Sequence, residues 1–230
     1  MPMSSHALIV GAGSGISAAM ARALLAEGWN VALASRSIEG KTIEGTGAAT
    51  RHVCDATKAG DVAALFTALE ESGRTPDFVL FNASARLRGP FLDLDPKAVE
   101  QSLIVSAYAG FLVAQEAARR MVQKGQGAIF FTGASASVKG YAQSAPFAMG
   151  KFALRGMAQS LAREFQPKGI HVAHFIIDGL VASPAHPADP TRPDAMLDPD
   201  AIAAAYLSVL KQPRSAWTHE ADLRPWAEAF

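Results

Sequence analysis

The sequence has one cysteine, no long apolar run and no excess of charge of either sign. Cys54 stands alone, so an intrachain disulfide is excluded. The apolar stretch 110–118 is interrupted by Gln115 and Glu116, well short of the roughly 20 residues that span a bilayer. Basic and acidic residues number 21 each, which gives no broad attraction for nucleic acid or anionic lipid.

These absences leave a small molecule as the expected partner, with no nucleic acid and no membrane. Residues 1–6 lack the charged and apolar regions of a signal peptide, so we expect a cytoplasmic location. We predict no metal site.

The length and the apolar content predict one domain over 1–230. Half of the 230 residues are hydrophobic, enough for one large core but few for two. Short apolar runs alternate with longer segments of helical period, as parallel strands joined by crossover helices require. The predicted fold class is therefore α/β: a doubly wound parallel sheet of about seven strands with helices on both faces, the Rossmann architecture.

The predicted strands are 7–10, 30–34, 51–54, 78–81, 128–132, 171–177 and 217–223. Helices are predicted to begin at 16 and to cover 62–69, 96–123, 146–166 and 198–210. Gly40, Gly45 and Gly47 are too many glycines for a helix between the second and third strands, so that crossover is predicted to be abbreviated. Five prolines in 183–199 predict an irregular loop over a site.

A glycine-rich turn, consisting of Gly11, Ala12, Gly13, Ser14, Gly15 and Ile16, joins the first strand to the first helix. Missing side chains let phosphates approach the backbone, and free N–H groups at the positive end of the helix stabilise the anion. The alternative is a tight structural turn. The strand before it and the helix after it favour a dinucleotide site.

The end of the second strand distinguishes between the two nicotinamide cofactors. An acidic residue there would hydrogen-bond the ribose hydroxyls of NAD(H), whereas this chain has Ser35 and Arg36, a hydroxyl and a guanidinium suited to a 2′-phosphate. Arg36 as an ordinary solvated arginine is the alternative. We favour NADP(H) over NAD(H).

Several motifs resemble those of the short-chain dehydrogenase/reductase family, and they follow one another along the chain in the family's order. Gly11-x-x-x-Gly15-Ile16 is similar to the family's glycine motif, with Val10 and Ser17 in place of its threonine and last glycine. The resemblance implies an oxidoreductase in which Ser135 orients the substrate and a lysine holds the nicotinamide ribose. It implies further cofactor contacts at Asp55, Ala56, Asn82, Ala83, Ser84, Lys151, Gly179 and Val181.

The catalytic side departs from the family pattern at three positions. The family's Tyr-x-x-x-Lys reads here as Phe147-x-x-x-Lys151, so the phenol that normally donates a proton is missing. Ser106 stands where the family has asparagine, and Asp178 where it has proline. Losing a general acid costs roughly a hundred- to ten-thousandfold in rate.

Tyr141 and Ser144 are the nearest replacement donors, and we place Tyr141 among the catalytic candidates with Ser135 and Lys151. His171 and His174 lie on a predicted core strand and are interpreted as buried, hydrogen-bonded histidines.

Two functions remain open. The first is an enzyme with a relocated proton donor, or one that adds hydride to a conjugated enoyl group and takes the proton from water. The second is a protein that binds NADPH without chemistry of its own. Ser135 and Lys151 favour the enzyme. Steroid, sugar, acyl and quinone substrates all fit the sequence.

Helices 96–123 and 146–166 correspond to those that pair the family's members into dimers and tetramers, so we expect a homodimer or homotetramer. Phe111 and Ala118 are expected on the exposed surface.

Overall fold

The computed structural model describes residues 5–38, 43 and 45–227. The strands within these residues are β1 His6–Val10, β2 Asn30–Ser35, β3 Thr50–Val53, β4 Phe78–Phe81, β5 Gly127–Thr132, β6 Ile170–Ile177 and β7 Glu220–Leu223. The helices are α1 Ile16–Ala26, α2 Ala59–Glu71, α3 Pro96–Leu103, α4 Ala109–Lys124, α5 Ala145–Phe165 and α6 Pro199–Leu210. The strands form one parallel sheet in the order β3-β2-β1-β4-β5-β6-β7, which confirms the predicted fold class.

Helices cover both faces of the sheet. On one face, Met20 of α1 and Tyr206 of α6 belong to a buried apolar cluster; on the other, Phe66 of α2 and Leu154 of α5 belong to a second cluster. β4 lies between the two clusters and is buried along its whole length, which explains its uniformly apolar sequence. The sheet therefore supplies a rigid edge at which loops from several strands meet.

The predicted helix over 96–123 is interrupted. A π-helical turn at Ile104–Tyr108 separates α3 from α4. Within that turn, the Ser106 hydroxyl accepts a hydrogen bond from the Ala85 N–H at 3.1 Å. Such a turn inserts an extra residue into the helix and is frequent at functional sites.

Ala118, expected to be exposed, is buried because its side of α4 packs on the sheet.

The last strand is shorter than predicted, because its first residues make other contacts. Trp217 stacks on His171 with ring centroids 4.7 Å apart, and its indole N–H donates to the Gln212 carbonyl. These contacts hold Trp217 outside the sheet ladder, which begins at Glu220.

The two glycine- and proline-rich segments are irregular, as predicted. Among the described residues between β2 and β3, none is helical; Gly40 lies outside them. In 183–199, a short bridge joins Ser183 to His186, and a 3₁₀ turn covers Pro193–Ala195. None of the helices in the described part of the chain combines the length and apolar character that a membrane span needs.

Candidate active site

A cleft of about 300 Å³ opens beside the carboxyl ends of the first strands. It lies where the strand order reverses between β1 and β4, the position at which open α/β sheets bind ligands. The predicted cofactor residues that line it are Gly11, Ser35, Arg36, Asp55, Ala56, Asn82, Ala83 and Ser84. Val10 and Ala12, beside Gly11, also line it, and five further lining residues were not predicted, namely Ser37, Cys54, Thr57, Val105 and Ala109.

Gly11 is required by the close approach of two chain segments. Its φ is +89°, and a Cβ at this position would lie 2.4 Å from the Ala83 backbone nitrogen. At Gly13 and Gly15, by contrast, a Cβ would meet no atom within 4 Å. The space beside these two glycines can therefore take a phosphate.

The turn also presents unused donors. Gly11 and Ala12 direct their N–H groups to the Ala34 carbonyl. No hydrogen bond recorded among the described residues uses the N–H groups of 13–16. These groups lie at the start of α1, where the helix dipole favours an anion.

Ser17 ties the glycine turn to the end of β4. Its hydroxyl donates to the Gly11 carbonyl at 2.9 Å and accepts from the Asn82 side-chain amide at 2.8 Å. A serine at the position of the family's last glycine thus fixes the turn and orients Asn82. The sequence showed the substitution, but it carried no signal for this contact between residues 65 positions apart.

Ser35 and Arg36 leave hydrogen-bonding capacity open to the cleft. The Ser35 hydroxyl is buried and has no hydrogen-bond partner among the described residues. Arg36 is exposed and takes part in none of the ion pairs recorded for the described residues. A buried hydroxyl normally has a partner, so this pair fits an oxyanion that the protein alone does not supply.

Asp55 is held ionised at the same cleft. Hydrogen bonds from the Thr57 side chain, at 2.7 Å, and the Thr57 backbone lower the pKa of the Asp55 carboxyl, and Lys58 and Arg36 add to that shift. The carboxylate is therefore oriented by the turn that begins α2.

A second cavity, of about 270 Å³, contains the predicted catalytic side. It brings together Arg86, Arg88, Ser135, Ala136, Tyr141, Ser144, Phe147, Asp178, Gly179 and Leu180. Six predicted residues line neither cavity, namely Gly13, Ser14, Gly15, Ile16, Lys151 and Val181. Ser14 lines a separate space beneath 182–184, and Val181 forms an isolated bridge with Leu197.

Lys151 lies behind Phe147. Its ammonium donates to the Thr132 carbonyl at 2.8 Å and lies 5.9 Å from the centroid of the Phe147 ring. The side chain is 3% exposed, and burial lowers the pKa of Lys151 to about 8. The buried cation therefore destabilises the folded chain at neutral pH.

Lys151→Met is expected to stabilise the cofactor-free protein by about 2 kcal/mol at pH 7. The lowering of the Lys151 pKa from 10.5 to about 8 corresponds to ~3 kcal/mol of lost folding stability. Replacement by Met would recover this amount, less ~1 kcal/mol for the lost hydrogen bond to the Thr132 carbonyl. The pKa of Lys151 is lower in the folded state than in the unfolded state, so between pH 8 and 10.5 the folded protein loses this proton first. The free energy of unfolding of the wild type therefore rises over that interval. Chemical denaturation should show the difference between variant and wild type shrinking over that interval. The same change at the exposed Lys97 is the control, and an equal gain there would contradict the burial argument.

Ser106 and Asp178 have structural partners. Ser106 is fully buried, and its hydroxyl contacts the backbone of Ala85, so it does not line the second cavity. Asp178 is buried at the cavity wall, where Lys139 at 3.3 Å and Arg224 at 3.6 Å offset its charge.

The two histidines of β6 are buried and hydrogen-bonded, as predicted. His171 pairs with the Thr218 carbonyl at 2.8 Å, and His174 with the Glu220 carboxylate at 3.0 Å. Burial lowers the pKa of His174 to about 4, so it is neutral at physiological pH.

The site and the fold agree with a known family. The family described as short chain dehydrogenase matches residues 5–189. This chain belongs to the short-chain dehydrogenase family. The predicted family, the oxidoreductase class and the nucleotide-binding Rossmann fold are thereby confirmed.

Similar proteins in this family have different described roles. The chain is 31% identical to a cyclic-di-GMP-binding biofilm dispersal mediator protein of Escherichia coli, over 79% of this chain and 75% of that protein. It is 28% identical to a D-threitol dehydrogenase of Mycolicibacterium smegmatis, over 94% and 89%. A solved short-chain dehydrogenase from Rhodopseudomonas palustris is 35% identical, with a TM-score of 0.82 over 98% of this chain and 100% of that one.

Proposed function

We propose that this protein is an NADP(H)-dependent oxidoreductase that transfers hydride to or from a small carbonyl, alcohol or enoyl substrate, with an altered proton donor. The observation that carries the proposal is the second cavity, where Ser135, Tyr141 and Phe147 line one space beside the buried Lys151 ammonium. A substrate that accepts hydride in this cavity would lie close to the hydroxyl groups of Ser135 and Tyr141.

When bound, NADP(H) supplies or accepts the hydride. The N–H groups of 13–16 would bind its pyrophosphate, and Ser35 and Arg36 would bind the 2′-phosphate. The remaining contacts, carried over from the family resemblance, are those of Asp55, Ala56, Asn82, Ala83, Ser84, Gly179 and Val181, with Lys151 binding ribose hydroxyls. The orphaned Ser35 hydroxyl supports NADP(H) over NAD(H).

Tyr141 is the proposed proton donor for carbonyl reduction. It lines the cavity with Ser135, and the Lys139 ammonium lies 5.8 Å from its ring centroid. The neighbouring Tyr141 hydroxyl and the Asp178 carboxylate raise the pKa of Lys139. The hydroxyl proton goes to the substrate oxygen while the Lys139 ammonium stabilises the negative charge left on the phenol oxygen. With an enoyl substrate, water supplies the proton.

Tyr141→Phe is expected to lower NADPH-dependent carbonyl reduction by roughly a hundredfold or more, because it removes the general acid. The dissociation constant of NADPH should not change, since Tyr141 lines the second cavity and not the cofactor cleft. Turnover is measured as NADPH consumption over a panel of carbonyl and enoyl compounds.

Tyr108→Phe is the matched control, because Tyr108 is exposed and stacks on Phe111 outside the cavity. Equal carbonyl reduction by wild type and Tyr141→Phe would rule out Tyr141 as the donor. Failure to bind any nicotinamide dinucleotide would overturn the proposed function as a whole.

The second candidate is a protein that binds NADPH without turnover. The phenylalanine at position 147 favours it, because no phenol stands four residues before Lys151. The similarity to a biofilm dispersal mediator is a further point in its favour. Tight NADPH binding with no turnover of any carbonyl or enoyl compound, followed by activity in Phe147→Tyr, would decide for this candidate.

We also propose that the chain works as one domain in the cytoplasm and pairs into a homodimer or homotetramer. Phe111 of α4 and Met149 of α5 are exposed apolar side chains on the helices expected to pair. Light scattering tests the assembly, and a monomer would contradict it.

A further inference from the structure

Two arginines enter the second cavity from the segment between β4 and α3. Arg86 and Arg88 line it together with Ser135, Tyr141 and Ser144. Both arginines are exposed, and none of the ion pairs recorded for residues 5–38, 43 and 45–227 includes either of them. Their guanidinium groups are therefore available to a ligand in the cavity.

Contacts on both sides hold the segment that carries the two arginines. On one side, Ala85 is hydrogen-bonded to the Ser106 hydroxyl at 3.1 Å and to the Ser102 hydroxyl at 3.2 Å. On the other side, the Gly89 N–H donates to the Gln143 carbonyl at 3.0 Å. The Arg86 guanidinium carbon lies 5.6 Å from the centroid of the Phe147 ring, a cation–π contact that fixes its place at the cavity wall.

The cavity also contains a polar group without a partner. Ser144 is 1% exposed, and its hydroxyl makes no hydrogen bond within the part of the chain that the structure describes. A buried hydroxyl of this kind indicates a ligand atom that completes its hydrogen bonding. The acidic wall residue, Asp178, does not compete for the arginines, because Lys139 and Arg224 already pair with it.

We propose that the substrate of this site carries an oxyanion, a carboxylate or a phosphate ester, that binds Arg86 and Arg88 while its reacting carbon lies at Ser135. This inference rests on the proposed oxidoreductase function and narrows its substrate class. Guanidinium groups bind planar oxyanions through paired hydrogen bonds, and two of them at one wall favour an acidic group over a neutral one. The Ser144 hydroxyl binds the polar part of the substrate between the oxyanion and the reacting carbon.

The test compares charged and neutral forms of the same carbonyl compound. The pairs are acetoacetate with methyl acetoacetate, levulinate with methyl levulinate, and dihydroxyacetone phosphate with dihydroxyacetone. In wild type, kcat/KM with NADPH is expected to be roughly 10- to 100-fold higher for the charged form. The first two pairs report a carboxylate and the third a phosphate.

Arg88→Gln should raise KM for the charged form by a similar factor and leave the neutral form unchanged. Arg86→Gln should do the same, with an added effect on kcat because Arg86 contacts Phe147. Arg163→Gln is the control, since Arg163 is an exposed arginine of α5 outside the cavity. Equal use of charged and neutral forms, or an unchanged preference in Arg88→Gln, would overturn the proposal.

Calorimetry of the NADPH-loaded protein with the same compounds separates this inference from the proposed function. Binding of the charged compound without turnover, lost in Arg88→Gln, would keep the oxyanion site and reject the enzyme. Turnover of only neutral compounds would keep the enzyme and reject the oxyanion site. If the NADPH-loaded protein binds none of the charged compounds, the proposed oxyanion site at Arg86 and Arg88 is rejected.

Discussion

Phe147→Tyr is expected to raise NADPH-dependent carbonyl reduction, by roughly 10²- to 10⁴-fold where Tyr141 is also replaced by Phe, because it supplies a general acid at the cavity that contains Ser135. The ring of Phe147 already lies in place: its centroid is 5.9 Å from the Lys151 ammonium and 5.6 Å from the Arg86 guanidinium carbon. Two cations beside the new phenol would stabilise the phenolate that remains after proton donation. The gain should appear in kcat, measured as NADPH consumption.

Phe152→Tyr is the matched control, since Phe152 is an exposed phenylalanine on the same helix and does not line the cavity. The double variant that combines Phe147→Tyr with Tyr141→Phe tests whether the two phenols act independently. If the double variant reduces carbonyl compounds much faster than Tyr141→Phe does, the phenol at position 147 donates the proton without help from Tyr141. An unchanged rate in Phe147→Tyr, with NADPH bound as in wild type, would contradict the view that this position lacks only a hydroxyl.

Arg36→Asp is expected to weaken NADPH binding by roughly a hundredfold and to leave NADH binding nearly unchanged. In the proposed complex the wild-type guanidinium would contribute charge-assisted hydrogen bonds to the 2′-phosphate, about 1.5–3 kcal/mol, and the new carboxylate would repel that phosphate. A tenfold change in affinity corresponds to about 1.4 kcal/mol. Ser35 and Arg36 line the cleft together, and the Ser35 hydroxyl has no partner among the described residues, which supports the choice of this position for the test.

Dissociation constants of NADPH and NADH from fluorescence titration check this expectation. Arg163→Asp, on the exposed surface of α5, controls for the change in net charge. Equal losses for NADPH and NADH in Arg36→Asp would remove the argument for NADP(H), although the dinucleotide cleft itself would stand.

Local sequence patterns were sufficient for the order of elements. The run Phe78-Val79-Leu80-Phe81 has no polar residue, and β4 is buried on both faces. The glycine turn could be placed between a strand and a helix because both flanking segments have their own periodicity. Lys151 could be predicted as a site residue because it stands four residues after an aromatic residue, in the pattern that resembles the family's Tyr-x-x-x-Lys.

Contacts between distant segments could not be predicted. The π-helical turn at Ile104–Tyr108 forms where Ser106 bonds to Ala85, 21 positions earlier. In the same way, no pattern joins Arg86 and Arg88 to Ser135, because the cavity is assembled from loops that follow different strands. Trp217 looked like the start of a strand, but stacking on His171 holds it outside the sheet.

By itself, the sequence determined the parallel sheet, the dinucleotide turn, the family, and the absence of a phenol at position 147. Each of these depends on residue types and short spacings, which act through local backbone geometry. Only the tertiary structure decided that Ser106 is buried on the backbone of Ala85, that Asp178 is paired with Lys139, and that Arg86 and Arg88 line the same cavity as Ser135. The reason is physical: hydrogen bonds, charge pairing and burial depend on distances through space, and the folding of the sheet brings these loops together.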